Sequence, residues 1–354
     1  MLQCLTMKDT PSAPAGITGS ASAPSRQSAP EPAVTARGVA LVTGAGKRLG
    51  RAIALALAAD GWDIGVHYRE SADGAAQTVA DITALGRRAV ALQAGLDDAS
   101  QCRQLVKRLA DALGPVTGLV NSASRFDFDS IHSLTPQSFA AHLGPNLLAP
   151  LLLSQALLAQ LPTSSAATAS LAPPVKPALS AGPGNPDSAA DHARSAVPAS
   201  PAGSEAPDAA ASPAAPSGPS TAATSTASAS TPAVIVNLLD QKLFNLNPDF
   251  LSYTLSKAAL QAATTMLAQA MAPLVRVVGV APGLTLPSYL QTDTDFAHAH
   301  RTLSPLGASS TAEDVAATVV FAMKTRSITG TTLLVDGGQH LLGLPRDASL
   351  MDQA

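Results

Sequence analysis

Seven short apolar runs, each separated from the next by a stretch of helical spacing, restrict this chain more than any other feature. The first, Val39-Ala40-Leu41-Val42, is stopped by Thr43-Gly44-Ala45-Gly46 and reads as a buried strand. Leu49 to Asp60 then carries apolar residues at helical spacing and ends at Gly61, a natural C-terminal stop. The same reading predicts strands over Asp63–Tyr68, Ala89–Gln93, Val116–Val120, Ala233–Leu238, Val275–Val280 and Thr331–Val335. Between them it predicts helices over Asp73–Leu85, Ala99–Leu113, Pro136–Leu161, Ser252–Met271 and Ala312–Met323, with a break or kink at Gly144-Pro145 and Thr311 as a cap. Strands that alternate with helices imply an α/β fold, a parallel sheet covered on both faces.

Two segments stand outside the pattern. Pro162 to Pro232 is almost wholly Ala, Pro, Ser, Thr and Gly, with no aromatic residue. Such a sequence buries too little apolar surface to offset its ordering entropy, so a disordered insertion is expected. It joins a helix to the start of a strand, which places it away from the C-terminal sheet edge where ligands bind. Residues 1–37 read as a disordered tail, or as sequence ahead of a later start such as Met7; Asp9 and Glu31 count against a transit peptide. The formal net charge of −3, without a Lys/Arg run, offers no footprint for nucleic acid or an anionic membrane. Two distant cysteines, Cys4 and Cys102, give neither a disulfide framework nor a metal cluster. A cytoplasmic location is expected.

The turn Thr43-Gly44-Ala45-Gly46-Lys47-Arg48-Leu49-Gly50 lies between the first strand and the first helix. Glycines there let the backbone approach a pyrophosphate, and the helix N-terminus offers free N–H groups to it. The second strand ends in His67-Tyr68-Arg69-Glu70-Ser71 rather than in an acid for ribose hydroxyls. Cations and a hydroxyl there, with Lys47 and Arg48, suit the 2′-phosphate of NADPH; Glu70 is discordant and is expected to point outward.

Tyr253 and Lys257 stand one helical turn apart, and Asp240 lies thirteen residues before the tyrosine. An ammonium near a phenol lowers its pKa and makes the tyrosine a usable general acid. An ionised aspartate would repel the oxyanion formed when a ketone is reduced. It can instead accept hydrogen bonds from ring nitrogens and an amino group, or give a proton when protonated.

In order, TGAGKRLG (Thr43–Gly50), NSAS (Asn121–Ser124), Asn146 in NLLAP, YTLSK (Tyr253–Lys257), APG (Ala281–Gly283) and ITGTTLLVDGG (Ile328–Gly338) resemble the short-chain dehydrogenase/reductase family. The resemblance implies a Rossmann-type, doubly wound, seven-stranded single domain built from 38–161 and 233–340. It also implies a Tyr253–Lys257 pair, Asn146 ordering a water beside Lys257, and a homotetramer formed through helices beginning near Pro136 and Ser252. On this resemblance the nicotinamide cofactor meets Gly44, Lys47, Arg48, Leu49 and Gly50 on the first turn, and His67, Tyr68, Arg69 and Ser71 after the second strand. It continues past Leu96 to Asn121, Ala123 and Ser124, then to Tyr253, Lys257, Pro282 and Gly283. Within the family, KRLG, the strand end HYR with Ser71, Arg125-Phe126 after NSAS, Asp240 where a serine is usual, and APGLT (Ala281–Thr285) resemble the pteridine reductases. Ser124, Phe126, Asp240 and Tyr253 are then the substrate contacts. Gly95, Val278 and Ser122 depart from the family pattern without removing a catalytic group.

The remaining features carry plainer readings. His298 and His300 are expected on a mobile loop over the substrate, with no metal site. Trp62 and Cys102 read as packing residues, Leu147–Leu158 as core or subunit interface, and Gln339 onward, with 341–354 as a C-terminal extension, has no recognisable role. The expected function is NADPH-dependent reduction of a small pterin-like substrate. The alternatives are a general carbonyl or 3-oxoacyl reductase and a non-catalytic NADP(H)-binding sensor.

Overall fold

In the computed structural model, residues 36–161 and 231–353 are described. The expected tail and insertion lie outside them, save for a residue or two at their edges. Seven parallel strands form one sheet in the order β3-β2-β1-β4-β5-β6-β7. They are β1 (Gly38–Val42), β2 (Trp62–Tyr68), β3 (Ala89–Gln93), β4 (Val116–Asn121), β5 (Ala233–Leu238), β6 (Val275–Pro282) and β7 (Thr332–Val335). The helices are α1 (Arg48–Ala59), α2 (Ala72–Ala84), α3 (Ala99–Leu113), α4 (Pro136–Leu143), α5 (Ala149–Gln160), α6 (Leu251–Ala270), α7 (Asp293–Thr302) and α8 (Ala312–Lys324).

The period-two alternation of the strands builds two cores. Ala40 and Val42 face one side, where Ile53 and Leu57 of α1 pack with Val315 and Val319 of α8. Val39 and Leu41 face the other, against Leu105 and Leu109 of α3 and Leu153 and Leu157 of α5. The direction of winding reverses between β1 and β4, so the crevice at their C-terminal ends is where such a sheet binds ligands. Helix α5 ends, and β5 begins, at the opposite edge of the sheet.

Two local expectations change. Gly144-Pro145 does not break the helix. A π-turn over Gly144–Leu148, with the Ala149 N–H bonded to the Gly144 carbonyl, joins α4 to α5 and accommodates the proline's missing donor. Strand β6 runs two residues past Val280, because Ala281 and Pro282 still pair with Leu334 and Val335.

Candidate active site

Two clefts open at the C-terminal sheet edge and meet at Ser124 and Phe126, which line both. The nucleotide-type cleft, about 570 Å³, is bounded by Gly44, Gly46 and Lys47, by Tyr68, Arg69 and Ser71, and by Leu96 and Ala123. The other, about 310 Å³, holds Asp240, Tyr253 and Lys257 together with Pro282 and Gly283.

The first of these is built from backbone. Gly44 has φ +69, and a Cβ there would lie 3.1 Å from the Ala123 Cα. A Cβ on Gly50 would lie 2.3 Å from the Gly44 carbonyl oxygen, so only glycine lets α1 approach the turn this closely. Thr43 Oγ1 accepts from the N–H groups of Ser122 (2.9 Å) and Ala123 (3.0 Å), tying this turn to the end of β4. Helix α1 has no side-chain cap, which leaves its N-terminal N–H groups to meet an anion. Lys47 and Arg69 add positive charge to the cleft.

Other expected cofactor contacts play a different part locally. His67 borders the same cleft but is largely buried and holds the turn: its Nδ1 accepts from the Gly44 N–H (3.1 Å), while Nε2 bonds the Ala94 carbonyl (3.1 Å). Burial pulls its pKa down to about 4, so it is neutral and adds no cation. Arg48 and Leu49 line the smaller cleft instead, and the Arg48 guanidinium donates to the Pro287 carbonyl at 2.8 Å. Glu70 is exposed, as expected, but pairs with Arg69 at 2.7 Å. Asn121 is buried beneath the site, donating to Asn237 at 2.8 Å.

In the smaller cleft, Tyr253 comes from the first turn of α6 and Asp240 from just beyond β5. The Tyr253 hydroxyl donates to Asp240 Oδ2 at 2.7 Å, and the Lys242 N–H donates to Asp240 Oδ1 at 2.8 Å. Burial raises the Asp240 pKa more than its hydrogen bonds lower it. Burial, then the adjacent Asp240 charge, also pushes Tyr253 well above the ordinary phenol value. This reverses the expected lowering by Lys257. Its Nζ is 5.7 Å from the Tyr253 ring centroid and donates to the Leu238 carbonyl at 2.6 Å. Burial lowers the Lys257 pKa to about 8. Tyr253 is thus held as a phenol that donates to Asp240, not as a phenolate.

Asn146, in the π-turn, is buried. Its Oδ1 accepts from the Arg125 N–H (2.7 Å), and its Nδ2 donates to the Arg125 carbonyl (3.0 Å) and Ser256 Oγ (2.9 Å). Its amide therefore clamps the Ser124–Arg125 turn to α6. Phe126 stacks on Phe250 with centroids 4.2 Å apart and meets Tyr253 edge-on at 4.7 Å.

Sequence reasoning missed three contributors and misplaced two histidines. Phe250 precedes α6 with φ +53, a left-handed position costly for a bulky side chain. Asp129 supplies the cap α6 lacks, accepting from the Ser252 N–H (2.9 Å) and hydroxyl. His298 and His300 lie on helix α7, not on a loop. Gln339, Leu344, Asp347, Ala348 and Ser349 line the catalytic cleft, so the segment expected to lack a role forms part of its wall. Only the unusual FLSY run before the helix could have pointed to Phe250; nothing contiguous marked Asp129 or Asp347.

The family model described as short chain dehydrogenase matches residues 38–169, and one described as Enoyl-(Acyl carrier protein) reductase matches 220–340. A short chain dehydrogenase from Burkholderia cenocepacia, solved with NADP, is 30% identical, with 85% of this chain and 96% of that one covered and a TM-score of 0.62. This chain belongs to the short-chain dehydrogenase family. FolM alternative dihydrofolate reductase 1 from Brucella canis, solved with NADP, is similar to it at 30% identity and TM-score 0.66, covering 87% of this chain and 96% of that one. Among curated relatives, an uncharacterized oxidoreductase of Methylorubrum extorquens is 41% identical over 118 residues, 33% of this chain and 48% of that protein. A 3-oxoacyl-[acyl-carrier-protein] reductase of Synechocystis is 45% identical over 91 residues, 26% of this chain and 36% of the relative. The chain thus spans about half or less of the length of these curated relatives.

Proposed function

We propose that this protein is an NADPH-dependent reductase of dihydropterin-like heterocycles. The observation that carries the reading is the 2.7 Å hydrogen bond from Tyr253 to a desolvated Asp240, in a cleft bordered by Phe126. A carboxyl at that position suits a ring that presents N–H and amino donors, and in its protonated form it can return a proton to a ring nitrogen. It suits a ketone poorly, because a carboxylate there would oppose the growing oxyanion.

The glycine cradle, the uncapped start of α1, and Lys47 with Arg69 fit a phosphorylated dinucleotide. Both similar solved structures described above carry NADP. When bound, the nicotinamide supplies the hydride. Tyr253 holds the proton that the reduced ring requires, and Asp240 sits in hydrogen-bonding contact to share or replace it. Lys257, below about pH 8, keeps an ammonium beneath the pair and limits the cost of any transient negative charge. Phe126, at the junction of the clefts, offers a face to a flat ring. The exposed apolar side chains of Leu255 and Met266 on α6 support association through that helix, which light scattering checks.

A second reading, reduction of a 3-oxoacyl thioester, is favoured by the names of the curated relatives. Following NADPH absorbance against dihydropterins and 3-oxoacyl thioesters separates the two. Pterin turnover with little thioester turnover supports the first; thioester turnover without pterin turnover overturns it.

A further inference from the structure

The end of the described chain is bound into the catalytic cleft by a set of polar ties. Asn245 Nδ2 donates to the Leu342 carbonyl, and its Oδ1 accepts from the Leu344 N–H at 3.3 Å. Asp249 Oδ2 accepts from Arg346 Nε and from the Asp347 N–H, both at 2.8 Å. Lys242 Nζ, on a side chain only 4% exposed, donates to Asp347 Oδ2 at 2.9 Å and to the Asp249 carbonyl at 2.7 Å. It also lies 5.3 Å from the centroid of the Phe250 ring, on which Phe126 stacks.

A lysine taken this far out of water persists only when paired and hydrogen-bonded. Lys242 meets that condition, and it links three parts of the cleft. Its backbone N–H holds Asp240, and its ammonium holds Asp347 and lies over the Phe250 ring. Asp347 Oδ1 is occupied by the Ser349 N–H and hydroxyl, whereas Oδ2 receives only Lys242, and the side chain remains 16% exposed. A carboxylate oxygen has room for a second donor.

We propose that the Lys242–Asp347 pair is a latch that seats the wall Leu344–Ser349 against the cleft, and that this wall is the specificity element, restricting substrates to small flat rings whose donor-bearing edge meets Asp240 and Asp347 together. The proposal rests on the smaller cleft being the site of reduction, and it deepens the pterin reading without depending on it. Lys242 is a positioning residue; Asp347 is a specificity residue. The charged and titratable groups around Asp240 are Tyr253 and Lys257 from α6, Lys242 from the turn after β5 and Asp347 from the wall, and the Asp347 charge helps raise the Asp240 pKa.

The test uses the full chain with Asp347→Asn, Leu344→Ala, Lys242→Met and the double variant Lys242→Met/Asp347→Asn. NADPH affinity is measured by fluorescence titration, KM and kcat on a dihydropterin, and turnover on a ladder of aromatic ketones of increasing size. Asp347→Asn, nearly isosteric, should raise the dihydropterin KM by ~10-fold with NADPH affinity held within ~2-fold, as expected for a hydrogen bond to a charged group. It should leave kcat within ~2-fold, a split between KM and kcat that a purely structural loss would not give. Leu344→Ala should extend turnover to larger ketones, and the double variant should lose less than the sum of the single losses. Unchanged KM in Asp347→Asn, with an unchanged ladder in Leu344→Ala, would overturn the proposal. A parent chain that reduces ketones and no pterin removes the pterin reading, while the ladder still decides the wall. If Lys242→Met loses NADPH affinity through misfolding, the two remaining single variants carry the decision.

Discussion

The two clefts share Ser124 and Phe126, yet they are made in different ways. The nucleotide-type cleft is a backbone object. Gly44, Gly46, Gly50 and the open start of α1 create it within a few residues, and His67 and Thr43 brace it from neighbouring strands. The catalytic cleft is a side-chain object, gathered from Arg48, Asp240, Tyr253, the loop after β6 and the last residues of the chain. A backbone cradle fits any dinucleotide of the right charge. A surface assembled from six distant segments, the Ser124–Phe126 turn included, can change in one wall without the others changing, and selectivity for the proposed substrate would lie there.

Substitutions can break this division. The largest effect belongs to Tyr253→Phe, which would remove the proposed proton donor from one cleft alone. Steady-state kcat should fall by ~10²–10⁴-fold, with NADPH affinity by fluorescence titration kept within ~2-fold. A comparable loss of NADPH affinity would mean that the clefts are not separable. The next effect is one of pH. Lys257 loses its ammonium as pH rises through about 8. The positive charge beside the Tyr253–Asp240 pair is lost with it, so kcat/KM should fall above about pH 8, by up to about tenfold per unit. A rise instead would show that the deprotonated forms are the active ones.

Arg69→Ala addresses the other cleft. Losing one charge-assisted contact should lower the preference for NADPH over NADH by ~10-fold, with dihydropterin KM unaffected. Because Arg69 already pairs with exposed Glu70, the effect should stay below that expected of an unpaired arginine. Asp129→Ala is the smallest. Removing the cap of α6 should cost about 1–2 kcal/mol in thermal or denaturant unfolding. It should disturb Tyr253, two residues into the helix, more than NADPH binding.

How much was legible in the sequence follows the same division. The strand alternation, the glycine turn, and Tyr253 with Lys257 are contiguous patterns whose meaning is set by local backbone geometry, and they lie where expected. The direction of the Tyr253 shift was not legible. Sequence spacing placed Lys257 beside the phenol but could not reveal that burial and Asp240 would dominate. Nor could it distinguish a cation from a neutral strut at His67, since that depends on the Gly44 and Ala94 groups that enclose the ring. The C-terminal wall was missed for a related reason. Asp347 acquires meaning only through Lys242, 105 positions earlier, and no periodicity links them.

The central claim is that Asp240 turns a general reductase cleft into one for a nitrogen heterocycle. Its most direct test is the ratio of kcat/KM for a dihydropterin to that for a 3-oxoacyl thioester, compared between the parent chain and Asp240→Ser, with NADPH affinity measured alongside. The ratio should favour the dihydropterin in the parent and fall by ~10²-fold in the variant, at unchanged NADPH affinity. Equal dihydropterin rates in the two proteins would contradict it.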